Sequence, residues 1–189
     1  MDTPIHVVAI VASQPGGNTD RLVGQVLQAA RDAEPGVQPE SIHLGAGPLD
    51  QSRVEACVRS LSGADAVVLG TPMYRATYAA VLKELLDRVP RGGPPERFDG
   101  PLRAKAVGIV ATGGSHHHFL GADPLIDMLV RFFGAYVVPP VLYGVMRLGG
   151  DGALDSGLVE EAARFGRALV ALSRAIRSDE RLRDARAQV

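Results

Sequence analysis

The sequence predicts an α/β chain in which one parallel sheet of five strands, in the order 2-1-3-4-5, carries helices on both faces. Three observations predict it. Apolar, β-branched runs alternate with stretches of helical spacing. Those runs are nearly continuous, as strands covered on both faces must be. And 189 residues, 46% of them hydrophobic, suit a single domain with a sizeable core.

The elements follow in order. His6 to Ala12 (HVVAIVA) reads as a strand buried on both faces, and Thr19 to Ala33 as a helix, with Leu22, Val23, Val26, Leu27 and Ala30 on one side. Val37 to Leu44 reads as a second strand, Arg53 to Leu61 as a helix, and Ala66 to Thr71 (AVVLGT) as a third strand. Ala79 to Val89 is a helix ended by Pro90 and the loop Arg91-Gly92-Gly93-Pro94-Pro95. Lys105 to Thr112 (KAVGIVAT) is the fourth strand. Pro124 to Phe133 is helical, with Asp123 the expected N-cap. Ala135 to Tyr143 is the fifth strand, which Pro139-Pro140 forces to an edge or breaks. Ser156 to Ile176 is the last helix. The whole is a three-layer α/β/α sandwich of the flavodoxin type over residues 1–176, with 177–189 a charged tail. From Arg174 onward five arginines outnumber three acidic residues, which reads as a solvated helix end or a frayed terminus.

Composition narrows the function. Twenty basic side chains against 21 acidic ones leave a net charge of −1, so no overall field draws nucleic acid or an anionic membrane. No apolar run reaches the ~18 residues of a membrane span. Cys57 stands alone and cannot form an internal disulfide, which leans toward a reducing cytoplasm. The start of the chain has no basic segment leading an apolar run, so no signal peptide is expected. With no Trp and aromatics at 5%, redox work would need a borrowed cofactor.

In open parallel sheets, ligands bind beyond the carboxyl ends of the strands where the strand order reverses. The loops after the first, third and fourth strands converge there. In the first, Ser13, Gly16, Gly17, Asn18 and Thr19 offer a close backbone approach, hydroxyls and a helix N-terminus, which suit a single phosphate. The alternative is an ordinary polar-capped turn. In the second, Thr71-Pro72 forces an extended turn that presents Met73 and Tyr74 to a planar ring, with Tyr78 close by. The alternative is that both tyrosines pack against neighbouring helices. In the third, Thr112, Gly113, Gly114 and Ser115 expose backbone N–H groups to a heterocycle or a developing anion. His116-His117-His118 follows, but adjacent side chains diverge, so no metal site is expected. No Ser lies in a nucleophile elbow and Cys57 sits mid-helix, so no catalytic side chain is assigned.

At these loops the sequence resembles the NAD(P)H-dependent FMN reductase family, and within it the reductases that supply alkanesulfonate monooxygenases. The resemblance rests on Ala12-Ser13 with Gly17-Asn18-Thr19, on Gly70 to Tyr78 (GTPMYRATY), on Val81 to Asp87, and on Ala111 to Ser115 with His118-Phe119-Leu120. It implies FMN as cofactor and NADPH or NADH as co-substrate. Ser13, Asn18 and Thr19 would hold the phosphate, Thr71 to Tyr74 would flank the isoalloxazine ring, and Thr112 to Ser115 would bond its pyrimidine edge. It also implies a homodimer or homotetramer, and a flavin-dependent monooxygenase as partner. For the oligomer, the nearly all-apolar stretch Leu125 to Phe133 adds support. Two departures stand out. The family commonly has an arginine in the phosphate loop; Pro15-Gly16-Gly17 has none, which leaves N–H groups, hydroxyls and the helix dipole. Some relatives insert a tyrosine near Pro124 in a bulged helix, whereas Asp123-Pro124 here reads as a fresh helix start. Two other functions stay open: a quinone or azo-type reductase with FMN as prosthetic group, and a non-catalytic electron carrier, against which the near-zero charge speaks.

Overall fold

The first apolar run forms β1 (Ile5–Val11), and six of its seven residues are buried because helices cover both faces of the sheet. The structure, a computed structural model, describes residues 4–45, 47–92, 99–146 and 154–184. After β1 come α1 (Asn18–Ala33), β2 (Val37–His43), α2 (Gln51–Gly63), β3 (Ala66–Tyr74), β4 (Thr77–Tyr78), α3 (Ala80–Arg88) and β5 (Ala106–Gly113). A 3-10 turn (His116–Ala122), α4 (Asp123–Asp127) and a π-helical turn (Met128–Phe132) lead to β6 (Tyr136–Val137) and β7 (Leu142–Val145). Two helices, α5 (Ser156–Ser178) and α6 (Glu180–Arg183), complete the described chain.

The main strands run parallel in the order β2-β1-β3-β5, with β6 and β7 both pairing along β5. That is the expected order. The strand count is seven rather than five, for two physical reasons. Pro139 and Pro140 have no N–H to continue a ladder, so the fifth strand splits into β6 and β7. And β3 runs three residues beyond Thr71, then folds back as the short antiparallel β4.

One face of the sheet is covered by α1 and α5, the other by α2, α3 and α4. Helices α1 and α5 meet closely at Gly166, where a Cβ would stand 2.5 Å from the Val26 carbonyl oxygen. Next to it Phe165, 5% exposed, lies in the notch that Gly108 leaves on β5. Cys57 is buried in α2 as core, and burial pushes its thiol pKa up. No helix among the described residues is long and apolar enough to cross a membrane.

Two local expectations change and a third is refined. Asp123 is not an N-cap: the 3-10 turn runs straight into α4, Ala122 is already helical, and Asp123 is the first residue of the helix. The expected helix to Phe133 is α-helical only to Asp127, after which the chain widens, and the Phe133 N–H donates to the Met128 carbonyl at 3.2 Å. A bulged helix is therefore present without an inserted tyrosine. Finally, the basic end from Arg174 is solvated along most of its length, as expected, but it is anchored rather than frayed. The Tyr136 hydroxyl donates to the Leu182 carbonyl at 3.1 Å, and Leu182 packs on the core. Residues 93–95 of the expected Pro/Gly loop and 185–189 of the tail lie outside the described residues.

Candidate functional site

From β1 the chain passes to β2 on one side and to β3 on the other, so the strand order reverses at the carboxyl end of β1. The Ala12 N–H donates to the Gly70 carbonyl at 2.7 Å, and Pro72 stands beside Thr112 in the β3–β5 register. The loops after β1, β3 and β5 therefore leave the sheet side by side.

The first loop turns at Gly16, whose φ of +76° suits glycine, and the Gly17 N–H donates to the Gln14 carbonyl at 3.1 Å. Helix α1 then starts at Asn18 with no side-chain cap, whereas α2 and α5 are capped by Asp50 and Asp155. Its first-turn N–H groups thus face outward without an intrahelical acceptor. Asn18 is exposed and Ser13 half-buried. Thr19 is different: it is 2% exposed, and its hydroxyl bonds that of Thr112 at 2.7 Å, tying the first loop to the third. Thr112→Val leaves the buried Thr19 hydroxyl without its partner and should lower stability by about 1–3 kcal/mol. Adding Thr19→Val should restore most of the loss in urea unfolding; a further drop would show that the pair is not a closed unit.

In the second loop the Thr71 hydroxyl accepts from the Ala79 N–H at 2.9 Å and donates to the Pro72 carbonyl at 3.0 Å, fixing where β3 ends. Arg75 and Ala76 make the hairpin turn with φ of +51° and +61°, a left-handed pair without glycine or asparagine. Met73 and Tyr78 are 5% and 7% exposed and belong to the core, where burial also raises the Tyr78 phenol pKa. Tyr74, at 64%, alone presents an open ring face. The hairpin is a platform topped by Tyr74 and propped from below by Met73 and Tyr78.

In the third loop both carbonyls are held. The Met146 N–H donates to Gly113 and the Tyr143 hydroxyl to Ser115, each at 2.7 Å. Gly113 admits no side chain because Tyr143 fills the space, while Gly114, like Gly16, faces open space. The 3-10 turn that follows packs on the hairpin, with Gly121 against the Ala76 carbonyl and Met73. His116 and His117 are exposed; His118 turns inward, and its Nδ1 is buried with no partner among the described residues. Among the described residues no three His, Cys, Asp or Glu side chains gather into a metal-binding group.

Three further residues enter the site that sequence spacing does not reveal. Asp20 accepts from the Gly16 N–H and bonds His43 Nε2, both at 2.7 Å. Burial pushes the Asp20 pKa up, but the Gly16 N–H together with the hydrogen bond and charge of His43 outweigh it, and the pKa lies below the ordinary carboxylate value. Its stabilising contribution is present at neutral pH and is lost as pH falls through that lowered value. Arg53 of α2 donates to the His43 and Leu44 carbonyls at 3.1 and 2.7 Å. Only the parallel pairing of β1 and β2, with Val11 opposite His43, brings these groups to the first loop. An acidic residue in a helix's first turn was the one local sign available.

The geometry agrees with what the chain is similar to. Residues 5–146 match the family described as NADPH-dependent FMN reductase. The NADH-dependent FMN reductase SfnF of Pseudomonas putida is 33% identical over 110 residues, 58% of this chain and 52% of that enzyme. The chain thus spans about half the length of that relative. The NAD(P)H-dependent FAD/FMN reductase of Geobacillus thermodenitrificans is 28% identical over 154 residues, covering 74% of this chain and 76% of that one. A flavodoxin of Streptococcus pneumoniae superposes with a TM-score of 0.61 at 17% identity, covering 87% of this chain and 98% of its own, which shows the flavodoxin-like fold. Matched across its sheet and all three loops, the chain belongs to the NADPH-dependent FMN reductase family.

Proposed function

We propose that this chain is an NAD(P)H:FMN oxidoreductase whose reduced flavin is passed on to a flavin-dependent monooxygenase. The observation that carries the reading is that the loops after β1, β3 and β5 leave the sheet side by side, the first tied to the third by the Thr19–Thr112 hydroxyl bond, with Gly16, Tyr74 and Gly114 exposed on them. The residues fit FMN. An uncapped helix start suits one phosphate, a tyrosine platform suits a planar ring, and a Gly-Gly turn lets polar backbone approach a heterocycle.

FMN, when bound, supplies the redox chemistry by accepting two electrons and a proton from the nicotinamide. The chain binds and orients. Ser13, Asn18 and the first-turn N–H groups of α1 hold the phosphate, while Thr19 and Thr112 lock the two loops together. The exposed Tyr74 would carry the ring, with Thr71 to Met73 flanking it only through their backbone, and backbone N–H groups around Gly113 to Ser115 would stabilise negative charge at its pyrimidine edge. No side chain is asked to act as nucleophile or general acid. A reducing, cytoplasmic setting fits the single buried thiol. Steady-state oxidation of NADPH and NADH with varied FMN tests the reading. Intersecting double-reciprocal lines from a colourless protein are expected; parallel lines from a yellow protein would make FMN a fixed prosthetic group.

The same reading includes a homo-oligomer. Phe119 and Leu120 on the 3-10 turn are 55% and 59% exposed, and Val130 and Phe132 on the π-helical turn are each 44% exposed. Large apolar groups bared on the two turns that flank α4 support an interaction surface. Light scattering after size exclusion should give a multiple of 19.9 kDa. Val130→Asp combined with Phe132→Asp should shift it toward monomer, and a monomeric wild type would end the claim.

A further inference from the structure

Asp20 is an unexpected charge at an anion site. The segment from Ser13 to Thr19 contains no lysine or arginine, so any phosphate held there depends on backbone N–H groups, hydroxyls and the helix dipole. Asp20 stands in that same first turn and takes one of those donors, the Gly16 N–H. Its other oxygen is bonded to His43, which keeps the carboxylate turned toward the loop rather than out to solvent. The side chain is only 25% exposed, so water screens it incompletely. The nearby cation, Arg53, is directed at the His43 and Leu44 carbonyls, while Arg21 follows on the exposed side of α1.

Two consequences oppose each other. The Asp20 carboxylate stabilises the loop, since it bonds Gly16 and complements the positive end of the helix. It also sets a negative charge, offset by His43 only when that ring is protonated, beside a ligand group that carries nearly two of its own. A neutral acceptor such as Asn would serve the first purpose nearly as well and would spare the second.

We propose that Asp20 is a positioning residue that orders the phosphate loop while weakening its hold on the flavin phosphate, so that flavin leaves after reduction. The proposal rests on the FMN reading above and assigns one residue to the choice between a diffusible flavin and a fixed one. His43 anchors the device, because its bond fixes where the charge points.

The test uses Asp20→Asn in the full-length protein, with FMN and riboflavin as paired probes, since riboflavin is the same ring without the phosphate. Affinities are read from quenching of flavin fluorescence, and folding from a thermal melt. Asp20→Asn should bind FMN about tenfold or more tightly, with riboflavin affinity little changed and a slightly lower melting temperature. A residue that only supports the loop would lose affinity together with stability, so tighter FMN binding in a less stable protein separates the two roles. FMN affinity that is unchanged or weaker overturns the proposal, as does an equal gain for riboflavin. Should Asp20→Asn fail to fold, Asp20→Ser keeps a short acceptor for Gly16 without the charge, and the same paired result is required of it. A wild-type protein that binds neither flavin and oxidises no NAD(P)H overturns the FMN reading itself, which is a different failure.

Discussion

Gly121→Ala is expected to weaken FMN binding at least tenfold and to lower kcat/KM by about a hundredfold while the protein remains folded. A Cβ at this position collides with the Ala76 carbonyl group, standing 2.6 Å from its carbon and 2.8 Å from Met73 Cε. Backbone cannot step aside as a flexible side chain does, so either the 3-10 turn or the hairpin must move. Both border the site: the turn follows Gly113 to Ser115, and the hairpin carries Tyr74. Overpacking of this kind costs about 1–3 kcal/mol, small enough for a single domain to survive. Gly24→Ala is the control. That glycine lies on the exposed side of α1 with nothing within 4 Å of a built Cβ, and the change should stabilise the helix by up to about 1 kcal/mol. A flavin titration that finds the two variants alike would contradict the packing of turn on hairpin.

Phe165→Ala should cost about 3–5 kcal/mol, the largest stability loss expected of a single truncation here. Phe165 is 5% exposed, and its ring fills the space that Gly108 leaves open on β5; a Cβ on Gly108 would lie 2.7 Å from the ring. Removing the ring opens a cavity between α5 and the sheet that neither can close without sliding. Gly108→Ala attacks the same notch from below and should also destabilise, while the two changes together should be less costly than their sum, since the added methyl partly fills the void. Urea unfolding measures all three. Additive losses would mean that ring and glycine do not share one space. The folded fraction of Phe165→Ala should still bind FMN, because the ring packs at Gly108 near the start of β5, whereas the site lies beyond its carboxyl end.

The contrast between those two sites shows which parts of the protein the sequence discloses. The inner strands are read from their near-continuous apolar runs, and the order of the sheet follows from strict alternation with helices. Pro139-Pro140 announces a broken strand because proline cannot donate to a ladder. The three candidate loops are visible at the ends of buried strands, the first and third as polar, glycine-rich segments and the second by its Thr71-Pro72 turn. What stays hidden depends on tertiary context. The turn at Arg75-Ala76 lacks the glycine or asparagine that would signal a hairpin, so β4 is silent in the sequence. Met73 and Tyr78 look like ligand-facing residues, yet alternation along a two-stranded hairpin turns them into the core and leaves Tyr74 outside. Asp123 has a capping residue's chemistry, but a preceding helical turn removes the terminus it would cap. Asp20, His43 and Arg53 meet only because β2 lies beside β1.

The electrostatic character of the first loop follows from the same pairing. Its residues Ser13 to Thr19 include no lysine or arginine, and the carboxylate of Asp20 is fixed just after it, in the first turn of α1; under the proposal above, a phosphate there would be held loosely. Loose binding would accord with the proposed reductase, which passes its flavin on, rather than with a carrier that keeps it.

The central claim is that this chain moves electrons from a nicotinamide to FMN, and one anaerobic experiment addresses it most directly. Purified protein is mixed with a slight excess of FMN, then NADPH or NADH is added in steps while the visible flavin absorbance is followed. The account predicts rapid bleaching, one nicotinamide oxidised per flavin, with colour restored when air is admitted. Flavin that stays oxidised with both nicotinamides, in protein shown to be folded by its thermal melt, would contradict it.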